Sequence, residues 1–150
     1  MAKPFPLQTL LDLAQEGSDA AAAQLGVVNG HERDMHRRLQ VLLDYRREYA
    51  ERLTRVTQSG MHSVGLLNFR EFIDTIDTAI EMQRELLANA KREVETGQQH
   101  WHLQQRKLKS FDTLSQRHYS AERKSEARQE QRDHDDFAMR GLLGRRLLAG

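Results

Sequence analysis

Seven histidines and twenty-two carboxylates, with no cysteine, are the groups from which this chain would have to assemble a metal or acid–base centre. Their spacing does not assemble one. On a helix His100 and His102 stand about 200° apart and cannot grip the same ion, and His31 and His36, five residues apart, are poorly placed to share one. His134, Asp135 and Asp136 read as a solvated charge cluster. There is no glycine-rich phosphate loop, no Ser/His/Asp set and no carboxylate pair that a concave scaffold would hold together. The residues therefore imply neither an enzyme nor a cofactor, metal or small-molecule site. What remains capable of recognition is aromatic: Trp101, and the group Tyr45, Tyr49, Phe69 and Phe72.

Those aromatics lie on two long apolar stripes. From Leu7 to Val56 apolar residues recur in steps of four and three, at Leu7, Leu11, Ala14, Ala21, Leu25, Val28, Met35, Leu39, Leu42, Tyr49, Leu53 and Val56. A straight helix drifts off such a stripe, so the pattern specifies supercoiling around a partner helix. With Leu7 as heptad position d, the a positions are Leu11, Ser18, Leu25, Glu32, Leu39, Arg46 and Leu53. The same register continues with Leu66, Ile73, Ile80, Leu87, Val94, Trp101 and Leu108 at a, and Phe69, Ile76, Gln83, Ala90, Gly97, Gln104 and Phe111 at d. Trp101 is thus first of all a packing residue.

Between the stripes lies Ser59-Gly60-Met61-His62-Ser63-Val64-Gly65, whose glycines and serines favour ending a helix. Asn68 suits an N-cap, with Glu71 as its capping-box partner. The expected fold is all-α: a long antiparallel two-helix coiled-coil hairpin forming one unit over residues 1–150. Helix one should cover about 7–58, the turn about 59–67 and a longer helix two about 68–140, with a loose tail at 141–150. At about 1.5 Å per residue the first helix would be roughly 80 Å long, which predicts a rod. A turn near residue 62 sets Leu7 against the neighbourhood of His118, where the second stripe fades. Residues 120–136 contain no large apolar side chain and have no partner helix to pack on.

Composition sets further bounds. With 30% charged and 38% hydrophobic residues and two prolines, both near the start, the chain suits an elongated helical unit with little core. The absence of cysteine excludes disulfide scaffolds and thiolate metal sites and fits a reducing cytoplasm. No apolar run reaches the ~18 residues of a membrane helix, and the first residues lack the apolar core of a signal peptide, so a cytoplasmic protein is expected. A net charge of +1 with interleaved signs argues against nucleic acid as a partner.

Two departures from a plain coiled coil carry content. Glu32, Arg46, Gln83 and Gln104 place polar groups in the seam, which fits register control with side chains reaching out to water. The flanks also differ. One gathers Tyr45, Phe72, Ala79 and Leu86 beside Leu42, Tyr49, Phe69 and Ile76, while the other offers Arg70, Asp77 and Arg84. Exposed aromatic clusters suit protein docking, and the alternative is that these rings fold over the seam and close it.

At this point the residues carry a resemblance. Leu7 to Ala14, the Asp44-Tyr45 and Glu48-Tyr49 pairs before the turn, Asn68-Phe69 with Phe72-Ile73 after it, Ala79-Ile80-Glu81, Trp101 with Arg106-Lys107-Leu108 and Leu114, and Asp136-Phe137-Ala138 together resemble the flagellar export FliJ family over roughly residues 7–140. Gln83, Arg38 and the tail after Arg140 depart from its pattern. The resemblance implies a stalk-like coiled coil of the bacterial flagellar type III export apparatus, concerned with flagellum biogenesis and motility. It would bind the export ATPase ring, couple that ring to the membrane export gate, assist export chaperones, and be a monomer when isolated. Its place would be the cytoplasmic face of the inner membrane. By position, the gate surface would be Leu42, Tyr45, Tyr49, Phe72, Ile76 and Ala79, and the ATPase end would include Leu7, Leu10, Leu13, Tyr119 and Phe137. Two other classes remain open: a holdase-like chaperone, which would need apolar residues at open helix tips, and a passive spacer, which would need no asymmetric flank.

Overall fold

The computed structural model describes residues 3–60 and 63–149. Two helices account for nearly all of them, α1 (Gln8–Gln58) and the longer α2 (Ser63–Ala149), and no strand occurs among the described residues. The helices pack against each other as an antiparallel hairpin. Gly60 closes α1 with φ of 80°, in the left-handed region where a side chain would be strained, and the Ser59 and Gly60 amides donate to the Arg55 and Thr57 carbonyls. Met61 and His62, at the centre of the expected turn, lie outside the described residues.

Two boundaries differ from expectation. Helix α2 begins at Ser63 instead of residue 68, so Asn68 lies within the helix and is not its N-cap. Starting early brings Leu66 into the stripe, where it is half-buried with Phe69. At the other end, residues 141–149 are helical, not a loose tail. A Cβ at Gly141 or Gly144 would meet nothing, and the leucines and arginines around them are better helix formers than two glycines are breakers.

Packing divides the chain into two units. The first is Asp19–Leu103. Its core consists of Met35, Leu87 and Ala90 with Leu39 packed against them, and Ala21, Ile76, Ile80 and Val94 are also buried. Every α2 seam position assigned from the heptads is buried or half-buried, and of those on α1 in this unit only Arg46 is exposed. At Gly97 the helices come close: a Cβ there would stand 3.3 Å from Val28 Cγ2 and 3.9 Å from the Leu25 Cα.

The second unit comprises the chain up to Ser18 and from Gln104 onward. Here Ala14, Ser18 and Ser115 are buried, small side chains that let backbones approach. Gln105 Nε2 donates to Ser18 Oγ at 3.2 Å. His118 meets Phe5 and Lys3, a few residues before the expected Leu7. The Phe5 and His118 ring centroids are 5.6 Å apart, and His118 Nε2 lies 2.9 Å from the Lys3 carbonyl oxygen. Phe5 is buried although it precedes α1, and the Gln8 amide donates to its carbonyl. From residue 127 to 149 every residue is exposed apart from half-buried Gly144.

Candidate docking surface

The seam's polar residues explain how the flanks are held. Gln83 is buried and its Nε2 donates to the Met35 carbonyl of the opposite helix at 2.9 Å, with the Met35 sulfur at 3.5 Å. A single inward amide of this kind is satisfied in one register only, because a shift of either helix removes its acceptor. Arg46 reaches out of the seam and forms a two-pronged ion pair with Asp77, Nε to Oδ1 at 2.5 Å and Nη2 to Oδ2 at 3.3 Å. The hydrogen bond and charge of Asp77 raise the Arg46 pKa further above the ordinary arginine range. Stability linked to that charge is present below the ordinary arginine value and lost only above the raised one, outside any working pH. On this charged flank Arg84 pairs with Glu81 of its own helix at 3.0 Å.

The opposite flank is built around Tyr49. Its ring lies 4.5 Å from Phe72 and 6.5 Å from Phe69, tilted in both cases, and the Arg52 guanidinium sits 5.3 Å over its face. Glu48 in turn holds Arg52 at 3.0 Å. Arg52 was not among the residues picked from the pattern, although an arginine three positions after a tyrosine shares its helix face. Tyr45 is 52% and Phe72 45% exposed, Leu42, Tyr49 and Ala79 are half-buried, and Ile76 is buried at 7% in the seam beneath. The aromatic flank is therefore partly open: Tyr49 closes against Phe72, while Tyr45 and the outer part of Phe72 stay in solvent.

In the other unit Leu7, Leu10 and Leu13 are exposed, as is Phe137, and half-buried Tyr119 meets the edge of the His118 ring at 5.2 Å. Trp101 is half-buried at its a position and contacts His102. Among the described residues no group of three or more His, Asp or Glu side chains is placed to hold a metal ion, and no helix is long and apolar enough to cross a membrane. Grooves beside the seam, such as that lined by Gln24, Val28, Asn89, Gly97 and His100, are open to solvent.

The sequence family described as Flagellar FliJ protein matches residues 2–147, which takes in both units and almost the whole of α2. The chain belongs to that family. The flagellar FliJ protein of Salmonella typhi is 32% identical over 143 residues, covering 95% of this chain and 97% of the relative. The flagellar FliJ protein of Escherichia coli (strain K12) is 30% identical over the same length and the same shares. A solved chain from Chlamydia trachomatis, the candidate YscO homolog CT670, is 16% identical and covers 91% of this chain and 93% of its own at a TM-score of 0.48, too loose a likeness to bear on function. Membership gives the resemblance carried by Asp44 to Tyr49 and Asn68 to Ile73 its full-length setting: the family likeness also spans Phe5, buried in the second unit, and the leucines at 142 and 143.

Proposed function

We propose that this protein is a non-catalytic component of the bacterial flagellar type III export apparatus, joining the export ATPase to the membrane export gate and assisting export chaperones at the cytoplasmic face of the inner membrane. The observation that carries the reading is the family match over residues 2–147. In this proposal the gate meets the flank of Leu42, Tyr45, Tyr49, Phe72 and Ala79, with Ile76 supporting it from the seam. The ATPase meets Leu7, Leu10, Leu13, Tyr119 and Phe137. Exposure of Tyr45 and Phe72 favours docking, since rings this open do little to close a coiled coil and can bury much area on a partner at small entropic cost. The opposite flank, occupied by the Arg46–Asp77 pair, gives the surface a single side.

The test compares Tyr45→Ala and Phe72→Ala in melting curves and in binding to the export gate's cytoplasmic domain and to the export ATPase. Tyr45→Ala should lower stability by less than about 1 kcal/mol and weaken gate binding by roughly 2 kcal/mol, about thirtyfold. Phe72→Ala should cost somewhat more stability, because it also removes the ring against Tyr49. ATPase binding should be kept in both. Unchanged gate affinity in both variants would reject the flank, and failure of the intact chain to bind either partner would reject the wider reading.

A further inference from the structure

Apart from Val64 and Leu67 beside the turn, the large apolar side chains left exposed in the unit Asp19–Leu103 are Val27, Val41 and Tyr45 on α1 and Phe72, Met82, Leu86 and Leu103 on α2. In the heptad register of the seam all of them fall at positions c or g, and none lies on the flank of Arg70, Asp77 and Arg84. Positions c and g repeat in steps of four and three, as a and d do, so they form a second stripe turned roughly 110° from the seam. It is most continuous at Phe72, Thr75, Ala79, Met82 and Leu86, with Val41 and Tyr45 beside it on α1. Thr75 does not interrupt it, since its hydroxyl donates to the Glu71 carbonyl of its own helix at 3.0 Å. Resting on the gate reading above, we infer that this second stripe seats an amphipathic α-helix of the gate protein, with Val41, Met82 and Leu86 extending the contact beyond the residues already assigned to it.

The spacing selects a helix as the occupant. Apolar groups in steps of three and four on two neighbouring helices offer knobs and holes to a third helix laid along them. An extended peptide would instead need a strand edge to add to, and no strand occurs among the described residues. Val41 is 52%, Met82 64% and Leu86 49% exposed, so each has area left to bury on such a partner. From Phe72 to Leu86 the stripe runs about 20 Å along α2, four turns of a matching helix. Beyond it the same positions read Asn89, Glu93, Thr96 and His100, and the apolar surface ends. Charge then selects the rim of the partner. Arg38, across from Leu86 in the antiparallel register, has no ion-pair partner among the described residues, whereas Arg37 is paired with Asp34 and Arg52 with Glu48. The docking helix therefore carries an acidic residue beside its apolar stripe, at the end that meets Arg38.

The experiment measures binding of the full chain to the export gate's cytoplasmic domain, beside photo-crosslinking from single benzoylphenylalanine residues placed at Val41, Met82, Leu86 and, on the opposite flank, Ala88. Crosslinks from the first three should fall in one gate segment at helical spacings of about three, four or seven residues, and Ala88 should give none. Met82→Lys with Leu86→Lys should weaken gate binding by roughly tenfold or more with an unchanged circular dichroism melt. Should that melt fall, Met82→Ala with Leu86→Ala is the pair to read, with a loss of about fivefold or more. Arg38→Glu should weaken binding about tenfold, and a lysine in place of an acidic gate residue in the crosslinked segment should restore it. Normal gate affinity in both double variants, while Tyr45→Ala still loses it, would overturn the docked helix and leave the gate flank standing. Crosslinks to every second residue, or scattered over several segments, would overturn it too. So would sedimentation showing a dimer of this chain that the double variant abolishes, since a second copy would then cover the stripe. Failure of the intact chain to bind the gate would reject the gate reading itself and the docked helix with it.

Discussion

Large aliphatic side chains fill the seam of the unit Asp19–Leu103, where Ile76, Ile80, Leu87 and Val94 are buried with Met35 between the helices. In the other unit the buried positions are Ala14, Ser18 and Ser115, with Phe5 supplied from outside both helices. Burial of apolar area contributes about 25 cal/mol per Å2, so the first unit has the means to fix the fold. The second has close backbone approach and one aromatic anchor. A coiled-coil stripe can thus keep its spacing while the size of the side chains it buries changes along its length, and the segment with least to bury is where α2 is left uncovered.

The sharpest break in this comparison is Leu87→Ala. It opens a cavity beside Met35 and Ala90 and should cost about 2–4 kcal/mol, read as a lower melting temperature by circular dichroism. If a truncation at Ser115→Ala destabilised the chain as much, the contrast between the units would be wrong. Next in size is Gly97→Leu. A Cβ there already lies 3.3 Å and 3.4 Å from Val28 and Leu25 side chains, so a larger group must push the helices apart, with an expected loss of about 1–3 kcal/mol in denaturant unfolding.

In the second unit Phe5→Ala removes its only buried aromatic ring among the described residues, and about 1–2 kcal/mol of local protection should disappear. Amide hydrogen exchange is the appropriate measurement: rates near Ser115 to Ser120 should rise while those near Leu87 stay as they were. Uniform acceleration through both regions would mean that Phe5 supports the whole fold. The smallest effect is expected from Gln83→Leu, which replaces a satisfied buried amide by an apolar group of similar size and should change stability by less than about 1 kcal/mol. Its consequence should be register heterogeneity, visible as broadened or doubled amide resonances around Met35.

Much of the fold could be read from the stripes because heptad spacing fixes which residues face a partner. The a and d assignments from Leu66 to Phe111 all fall on buried or half-buried positions. Helix ends were less legible. Asn68 has a capping residue's chemistry, yet burying Leu66 favoured an earlier start, and two glycines at 141 and 144 were too few to stop a helix rich in leucine and arginine. Of the candidate surface, the aromatic flank could be located by heptad position, but its internal order could not. That Tyr49 pairs with Phe72 beneath Arg52 while Tyr45 stays open depends on side-chain rotations that no spacing encodes.

By itself the sequence determined the helical class, the antiparallel pairing, the seam and the family, because each follows from periodicity, a short break or an ordered set of residues. Only the tertiary structure decided that Gln83 bonds to the Met35 carbonyl, that Arg46 leaves the seam for Asp77, and that Phe5 packs onto His118. Each of these depends on the distance and orientation between groups far apart in the chain, and a pattern of spacings along one helix specifies a face but not which atoms across the interface it meets.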